Sequence, residues 1–283
     1  MQVFREKDAL KQAIRKVKSE GKTLGLVPTM GALHEGHISL VRNALKETDQ
    51  VVVSIFVNPT QFDNPEDLKK YPRTPEKDLD LLVKEAKDLW VFIPSAYDLY
   101  GDKILSERFD FEGLEQVMEG KFRNGHFDGV GTVVKRLFET IEPNKAFFGE
   151  KDYQQLQIIR KLTRIKGLDV EIIGCPILRE DSGLARSSRN ERLSKENRKE
   201  AAFIYHTLLK ARDLFGTKSV KEITDWVKKS FENHPTLELE YFEIADSETL
   251  KKTDQKINGN QYRAFIAAYI DGIRLIDNIA LDN

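Results

Sequence analysis

The sequence predicts an α/β protein, a doubly wound parallel sheet followed by a smaller C-terminal α+β domain. Three observations carry this. Over the first two thirds of the chain, short apolar runs alternate with stretches of helical period, the pattern of strands joined by right-handed crossover helices. The runs at Val51 and Val170 are almost continuously apolar, as strands covered by helices on both faces are. After Pro176 the pattern gives way to helices and then hairpin-like strands, which marks a separate α+β unit.

The elements follow in order. A helix is expected over 10–19 and a buried strand over 23–27. An amphipathic helix at 38–47, a strand at 51–57 and a helix at 76–87 come next. Thr74-Pro75-Glu76 starts that last helix with a capping residue, a proline at the first position and an acid. A strand at 90–93, a helix at 130–141, a strand at 146–148, a helix at 153–165 and a strand at 170–175 complete the first domain, 1–177. The second, 178–283, opens with a basic segment of no regular period. It continues with helices at 196–214 and 220–231, and closes with strands at 239–245, 263–270 and 274–278 forming a small antiparallel sheet.

Composition bounds the function. The 283 residues are 40% hydrophobic and 32% charged, values of a water-soluble globular protein. A net charge of −1 gives no general electrostatic case for nucleic-acid or membrane partners. The single cysteine, Cys175, excludes an intramolecular disulfide and a cysteine-built zinc cluster. No run approaches the roughly 18 apolar residues that span a bilayer, and the charged start lacks a signal-peptide core, so a cytoplasmic location is expected.

Chemistry concentrates in Pro28-Thr29-Met30-Gly31-Ala32-Leu33-His34-Glu35-Gly36-His37, where a strand hands over to a helix N-terminus. Such a place offers backbone N–H groups and a positive dipole end to phosphate. Two histidines at i and i+3 share a face and can add hydrogen bonds to charge developing on phosphorus. The zinc-protease pattern needs i and i+4 and a third ligand, so zinc is rejected. The lysine P-loop is absent, and Gly129-Val130-Gly131 matches a dinucleotide fingerprint only weakly.

Three further segments join it. Asn58 and Gln61 follow a strand, at the sheet edge where α/β proteins bind ligands; turn chemistry from Asn58-Pro59 is the alternative. Gly149-Glu150-Lys151-Asp152-Tyr153-Gln154-Gln155 again leads from strand to helix. Asp152 and Gln155 have capping-box spacing, whereas Lys151 at a helix start makes sense beside an anion. Arg186-Ser187-Ser188-Arg189-Asn190 is either a solvated loop or one that closes over a triphosphate, with Arg189 meeting transition-state charge.

In this order and spacing, these segments resemble the pantoate–β-alanine ligase family over nearly the whole chain. Tyr71-Pro72-Arg73-Thr74 and Arg123-Asn124-Gly125-His126-Phe127-Asp128-Gly129-Val130 add to the match. The resemblance implies a Rossmann-like nucleotide- and pantoate-binding domain with a C-terminal lid domain, within the nucleotidyltransferase superfamily that carries His-x-Gly-His. It implies attack of pantoate's carboxylate on the α-phosphorus of ATP with Mg²⁺ on the phosphates, then capture of pantoyl adenylate by β-alanine, releasing AMP. By position, Met30, Gly31, Ala32, Leu33, His34, Glu35, Gly36 and His37 contact ATP, with His37 the proton donor and phosphate stabiliser. Gly149, Glu150, Lys151 and Asp152 face the nucleotide. Leu178 gives it a backbone contact, and Arg186, Ser187, Ser188 and Arg189 form a mobile phosphate loop. His34, His37, Lys151 and Arg189 are the catalytic set; Gln61 and Gln155 hold pantoate, Gln61 also meets β-alanine, Arg123 lies near the second substrate or the phosphates, and Asp78 faces Mg²⁺. A homodimer through the N-terminal domain is also implied. Arg186 departs from the family's usual Met at the head of that loop.

Two rivals share the histidine motif. A simple nucleotidyltransferase would leave the nucleotide in its product, whereas a ligase releases AMP. An RNA-binding relative of class I aminoacyl-tRNA synthetases is disfavoured by the near-zero charge.

Overall fold

A computed structural model of the chain describes residues 1–282. Residues cluster into two compact units, Met1–Glu150 with Gln154–Pro176, and Lys151–Tyr153 with Ile177–Asn283. The short segment Lys151–Tyr153 therefore groups with the C-terminal unit, whereas the sequence reading places it in the first domain. The reason is local. Asn278 donates to the Lys151 carbonyl (3.0 Å), and the Arg263 guanidinium lies 3.9 Å from the centre of the Tyr153 ring.

The first unit runs β1 (Gln2–Phe4), α1 (Lys7–Ser19), β2 (Leu24–Thr29), α2 (Glu35–Glu47), β3 (Gln50–Ile55), α3 (Pro65–Lys70), α4 (Pro75–Glu85), β4 (Trp90–Phe92), α5 (Ala96–Tyr100), α6 (Glu119–Phe122), α7 (His126–Ile141), β5 (Lys145–Gly149), α8 (Tyr153–Lys166) and β6 (Glu171–Cys175). The strands form one parallel sheet in the order β1-β4-β3-β2-β5-β6, flanked by helices. Val51, Val53 and Ile55 of β3 pack in one cluster with Ile38, Val41 and Ala44 of α2, which is why both read as apolar stripes.

From β2 the chain winds outward through β3 to β4, then returns to add β5 on the other side of β2. That reversal is a topological switch point, and the crevice beyond the carboxyl ends of β2 and β5 is the ligand position of such sheets. Pro28 helps to open it. β2 pairs with β3 as far as Thr29↔Ile55, but with β5 only at Gly25 and Leu26. A proline has no N–H to give a ladder, so it sits where the pairing has already stopped.

Two sequence expectations change here. β1 was hidden in a charged start, yet it pairs with β4 from Gln2↔Trp90 to Phe4↔Phe92. β6 is an edge strand, exposed at Glu171 and half-buried over 172–174, so its apolar run is not that of a strand covered on both faces. Its last residue, Cys175, is buried, which pushes its thiol up to about 11, with the Glu47 and Glu150 charges adding to the effect. It is a packing residue, with little thiolate at neutral pH.

The second unit contains α9 (Lys195–Glu200), α10 (Phe203–Phe215), α11 (Val220–Glu232), β7 (Leu237–Asp246), β8 (Tyr262–Ile270) and β9 (Ile273–Ala280), the strands forming an antiparallel sheet in that order. The single helix expected at 196–214 is two. At Ala202 and Ile204 the backbone bonds shorten to i→i−3, Ala202 to Lys199 and Ile204 to Ala201, which breaks the α-ladder. On α11, Val220, Ile223, Val227 and Phe231 are buried and Ser219 and Glu222 form a capping box. Burial at about 1.5–3 kcal/mol per side chain outweighs a cap of about 1 kcal/mol, so packing holds this helix and the cap sets its start. No helix among the described residues is long and apolar enough to cross a membrane.

Candidate active site

At the end of β2, Thr29 Oγ1 donates to Ser54 O (2.8 Å) and accepts from Gly31 N (3.2 Å). Gly31 (φ 82°) and Ala32 (φ 49°) both adopt left-handed backbone. A Cβ at Gly31 would lie 3.0 Å from Asp78 Oδ2 and 3.1 Å from Ile55 Cγ2, so glycine fits and little else does. At Ala32 the same conformation costs about 1–2 kcal/mol. Asp78 offsets it from α4. Its Oδ2 accepts from Ala32 N (3.0 Å), and its Oδ1 accepts from Leu33 N (2.8 Å) and Thr74 Oγ1 (3.2 Å).

This arrangement bears on the Mg²⁺-facing role that the resemblance implies for Asp78. The residue is only 2% exposed and both its oxygens are committed to the loop. Among the described residues no group of three or more His, Cys, Asp or Glu is placed to hold a metal ion. Asp78 is thus a bracket for the turn, both of its oxygens accepting from it.

His34 caps α2 in extended backbone, and its Nδ1 accepts from Gly36 N (3.1 Å). His37 returns the bond, its Nδ1 accepting from His34 N (3.3 Å). The two imidazoles thus form a reciprocal capping box, the place usually taken by Ser or Thr and Glu. Their ring centres are 4.2 Å apart. Because each Nδ1 receives a backbone N–H, each neutral ring carries its own proton on Nε2.

The amides of Gly31, His34 and Gly36 meet acceptors within the segment 29–37, those of Ala32 and Leu33 meet Asp78 of α4, and His37 N donates to His34 O (2.8 Å). The motif also holds its two imidazoles in fixed orientation. Glu35 is exposed, 3.6 Å from Arg42, so its side chain belongs to a surface ion pair.

Beyond β3, Pro59–Gln61 forms a single 3-10 turn capped by Asn58. Asn58 (1% exposed) donates to Gly129 O and to Gln61 Oε1, both at 3.1 Å. Gln61 Nε2 points to Met30 Sδ (2.8 Å), which brings the expected pantoate residue against the expected nucleotide loop. His126 Nδ1 lies 2.9 Å from Gln61 O, and a Cβ at Gly129 would fall 2.3 Å from Thr60 O. The weak dinucleotide match at Gly129 is thus a packing device, seating α7 on this turn. Asn58 takes the turn role, capping the 3-10 turn, and it also bonds the Gln61 amide.

Past β5, a Cβ at Gly149 would make only an ordinary contact with Leu40, 3.9 Å away, so the protein's own packing does not require a glycine there. Glu150–Asp152 is a 3-10 turn ahead of α8. Of the two neighbouring glutamines, Gln154 is buried and structural, donating to Leu114 O and Val117 O and accepting from Glu119 N. Gln155 is half-buried.

In the second unit, Lys151 is 17% exposed at its side chain and Nζ is 3.9 Å from Asp152. Leu178 O accepts from Arg186 N (2.9 Å), closing a small hairpin. Asn190 anchors the next turn. Its Nδ2 donates to Glu180 Oε1 (2.9 Å) and Ala185 O (3.0 Å), and its Oδ1 accepts from Ser187 Oγ (2.8 Å). Burial alone would raise the Glu180 carboxyl, but the Arg198 fork and Asn190 hold it below its usual range. Ser188 and Arg189 are exposed above this base, and Arg186 is half-buried. Sequence reasoning missed Tyr100 and Thr60, which hold Asn58, and the bracketing role of Asp78. Tyr100 has no sequence signal, being on a short helix 42 residues from its partner. Thr74 stands at the start of α4 as expected but makes no capping bond, because its hydroxyl donates to Asp78 instead.

A parallel sheet with a bracketed His-x-Gly-His turn at its switch point, in contact with the Gln61 amide, is the arrangement of a nucleotidyl-transfer enzyme. The chain matches the Pantoate-beta-alanine ligase family over residues 2–280. It is 74% identical over 283 residues to a pantothenate synthetase of Christiangramia forsetii, covering 100% of both chains. With a pantothenate synthetase of Flavobacterium psychrophilum it shares 53% over 281 residues, covering 99% of this chain and 100% of the other. Among solved structures it is similar to pantothenate synthetase from Thermus thermophilus (TM-score 0.89, 38% identity, 100% of both chains). It is also similar to a pantoate–β-alanine ligase from Francisella tularensis complexed with β,γ-ATP and β-alanine (TM-score 0.79, 36% identity, 100% of this chain and 98% of that one). The chain belongs to the pantoate–β-alanine ligase family, and it is an enzyme of the ligase class.

Proposed function

We propose that this chain condenses (R)-pantoate with β-alanine through a pantoyl adenylate, releasing AMP and pyrophosphate, with the residues above in defined roles. The observation that carries the reading is the contact of Gln61 with Met30, which puts an acceptor-binding amide beside the nucleotide turn. Pantoate's carboxylate is already ionised at neutral pH, so its attack on the α-phosphorus needs alignment and charge neutralisation rather than a strong base. A carboxylate oxygen forms the new P–O bond and pyrophosphate leaves. The neutral amine of β-alanine then attacks the acyl carbon, AMP leaves, and the amine's proton passes to solvent.

In this scheme the Nε2–H groups of His34 and His37 donate to phosphate oxygens, and the turn 30–37 shapes the nucleotide subsite. Gly149 to Asp152, the Leu178 backbone and Arg186 to Ser188 contact ATP, with Lys151 and Arg189 supplying positive charge. Gln61 and Gln155 hold pantoate, and Gln61 meets β-alanine. Mg²⁺ enters with ATP as part of that substrate. Arg189→Ala is expected to slow adenylation about 10²–10³-fold while capture of preformed adenylate changes less than about threefold. Equal losses in both steps, measured by quenched single turnover, would remove Arg189 from the phosphate chemistry.

A cytoplasmic location fits an ATP-consuming enzyme whose one cysteine is a buried thiol. A homodimer through the N-terminal unit is supported by Tyr97, Ile104 and Leu105, which are 69%, 46% and 65% exposed there. Sedimentation should then give twice the 32.6 kDa of one chain, and a monomer at assay concentration would contradict it.

A further inference from the structure

A glutamine presents a donor at one end of its amide and an acceptor at the other, so a site built on Gln61 depends on which end faces the substrate. The question rests on the reading that Gln61 holds pantoate. The hydrogen bonds answer it from the backbone outward. Gly129 O can only accept, so the Asn58 atom 3.1 Å from it is Nδ2. The same Nδ2 donates to Gln61, which makes that atom Oε1. Gln61 Nε2 therefore lies on the Met30 side, against a sulfur that can only accept.

The other end of Asn58 needs donors, and it has them. Oδ1 accepts from Tyr100 OH at 2.5 Å and from Thr60 N at 3.4 Å, and Thr60 Oγ1 lies 3.1 Å from Oδ1 and 3.0 Å from the phenol oxygen, sharing one proton between these contacts. Tyr100 ends α5 and is 6% exposed. The Arg136 guanidinium lies 4.7 Å from the centre of its ring and is itself held by Leu99 O (2.6 Å). Burial raises the pKa of the phenol, so it stays a donor over any ordinary assay pH.

We infer that Tyr100 is a positioning residue: through Asn58 it locks the Gln61 amide with Nε2 towards Met30. Gln61 then presents an N–H donor on that side, which suits a partner that offers oxygen lone pairs, a carboxylate or a hydroxyl. Without the phenol, Asn58 loses its shortest bond; the Gly129 carbonyl and the Thr60 N–H still set which way its amide faces, but Asn58, and Gln61 through it, is held less firmly in place. Tyr100 itself touches neither substrate. Thr60 is a weaker second pin on the same oxygen.

The test is steady-state kinetics with pantoate and ATP varied separately, on Tyr100→Phe, Thr60→Ala and Gln61→Ala and on the two double variants with Gln61→Ala. The expected result is a fall of about tenfold in kcat/KM for pantoate in Tyr100→Phe, mostly in KM, with KM for ATP within about twofold of the parent. Thr60→Ala should shift it about two- to threefold in the same direction. In the Gln61→Ala background both substitutions should have almost no further effect, because residues that act through a shared partner are not additive. Losses as large in that background as in the parent would overturn the inference. Unchanged pantoate kinetics in both Tyr100→Phe and Thr60→Ala would also overturn it. If Gln61→Ala alone leaves pantoate kinetics unchanged, the assignment of Gln61 to pantoate falls, and this inference falls with it. If Tyr100→Phe fails to fold, the Thr60→Ala pair of measurements decides the matter alone.

Discussion

Replacing His37 by alanine is expected to lower kcat for adenylation about 10²–10³-fold, the loss seen when one fixed donor to a developing oxyanion is removed. The structure explains why this histidine can be so effective. Its ring is immobilised by accepting from His34 N, and the proton left on Nε2 is a donor already in place before reaction. Donors that need no reorganisation contribute most to a transition state. The same bond also gives His37 a structural part, worth about 1 kcal/mol as a cap. His37→Glu separates the two roles, since glutamate at this position keeps a capping box. It should melt close to the parent temperature while losing at least as much activity as His37→Ala, because a carboxylate replaces a donor beside phosphate. Parent-like turnover in His37→Glu would place the role of this residue in the cap alone.

The second large effect is expected at Asp78. Its carboxylate accepts two backbone N–H groups of a turn that contains consecutive left-handed residues. Asp78→Ala strands both donors, at about 1–3 kcal/mol each, and withdraws the support for Ala32. A total of about 2–5 kcal/mol should appear as a fall in Tm on the order of 10 °C. Because the turn carries the nucleotide subsite, KM for ATP should rise more than KM for β-alanine. The concentration of Mg²⁺ giving half-maximal rate should not move, because the oxygens of Asp78 are already occupied by the protein. A shift in that concentration with an unchanged Tm would instead make Asp78 a metal ligand.

These two residues also show how far the sequence could be read. His34 and His37 were legible because the motif is local: strand, turn and helix lie within a few residues, so periodicity and spacing carry the information. The parallel sheet was legible for the same reason, each βα unit announcing itself by its apolar pattern. The capping box was not. It replaces the usual Ser and Glu by imidazole, which composition-based signals do not anticipate. β1 escaped because three residues are too few to show a period. β6 was misread because an apolar run does not reveal whether a strand is central or at an edge.

Side chains that act across long sequence separations were the least legible. Asp78 reads as an ordinary acid in the first turn of α4, yet its partners are 45 and 46 residues away. Tyr100 and Gly129 meet Asn58 only because α5 and α7 pack on one turn, a fact that belongs to the fold and to no segment of the sequence. Gln61 lies between these cases. Its position at a strand's carboxyl end was visible beforehand, whereas the direction of its amide depends on a carbonyl of another element.

The central claim is that pantoate, and not a phosphorylated acceptor, takes the nucleotide at this site. Exchange of labelled pyrophosphate into ATP, with Mg²⁺ and pantoate but no β-alanine, tests it most directly. A reversible adenylate predicts exchange that saturates with pantoate and disappears when pantoate is left out. Net pantothenate formation by an enzyme that shows no pantoate-dependent exchange would contradict the adenylate route.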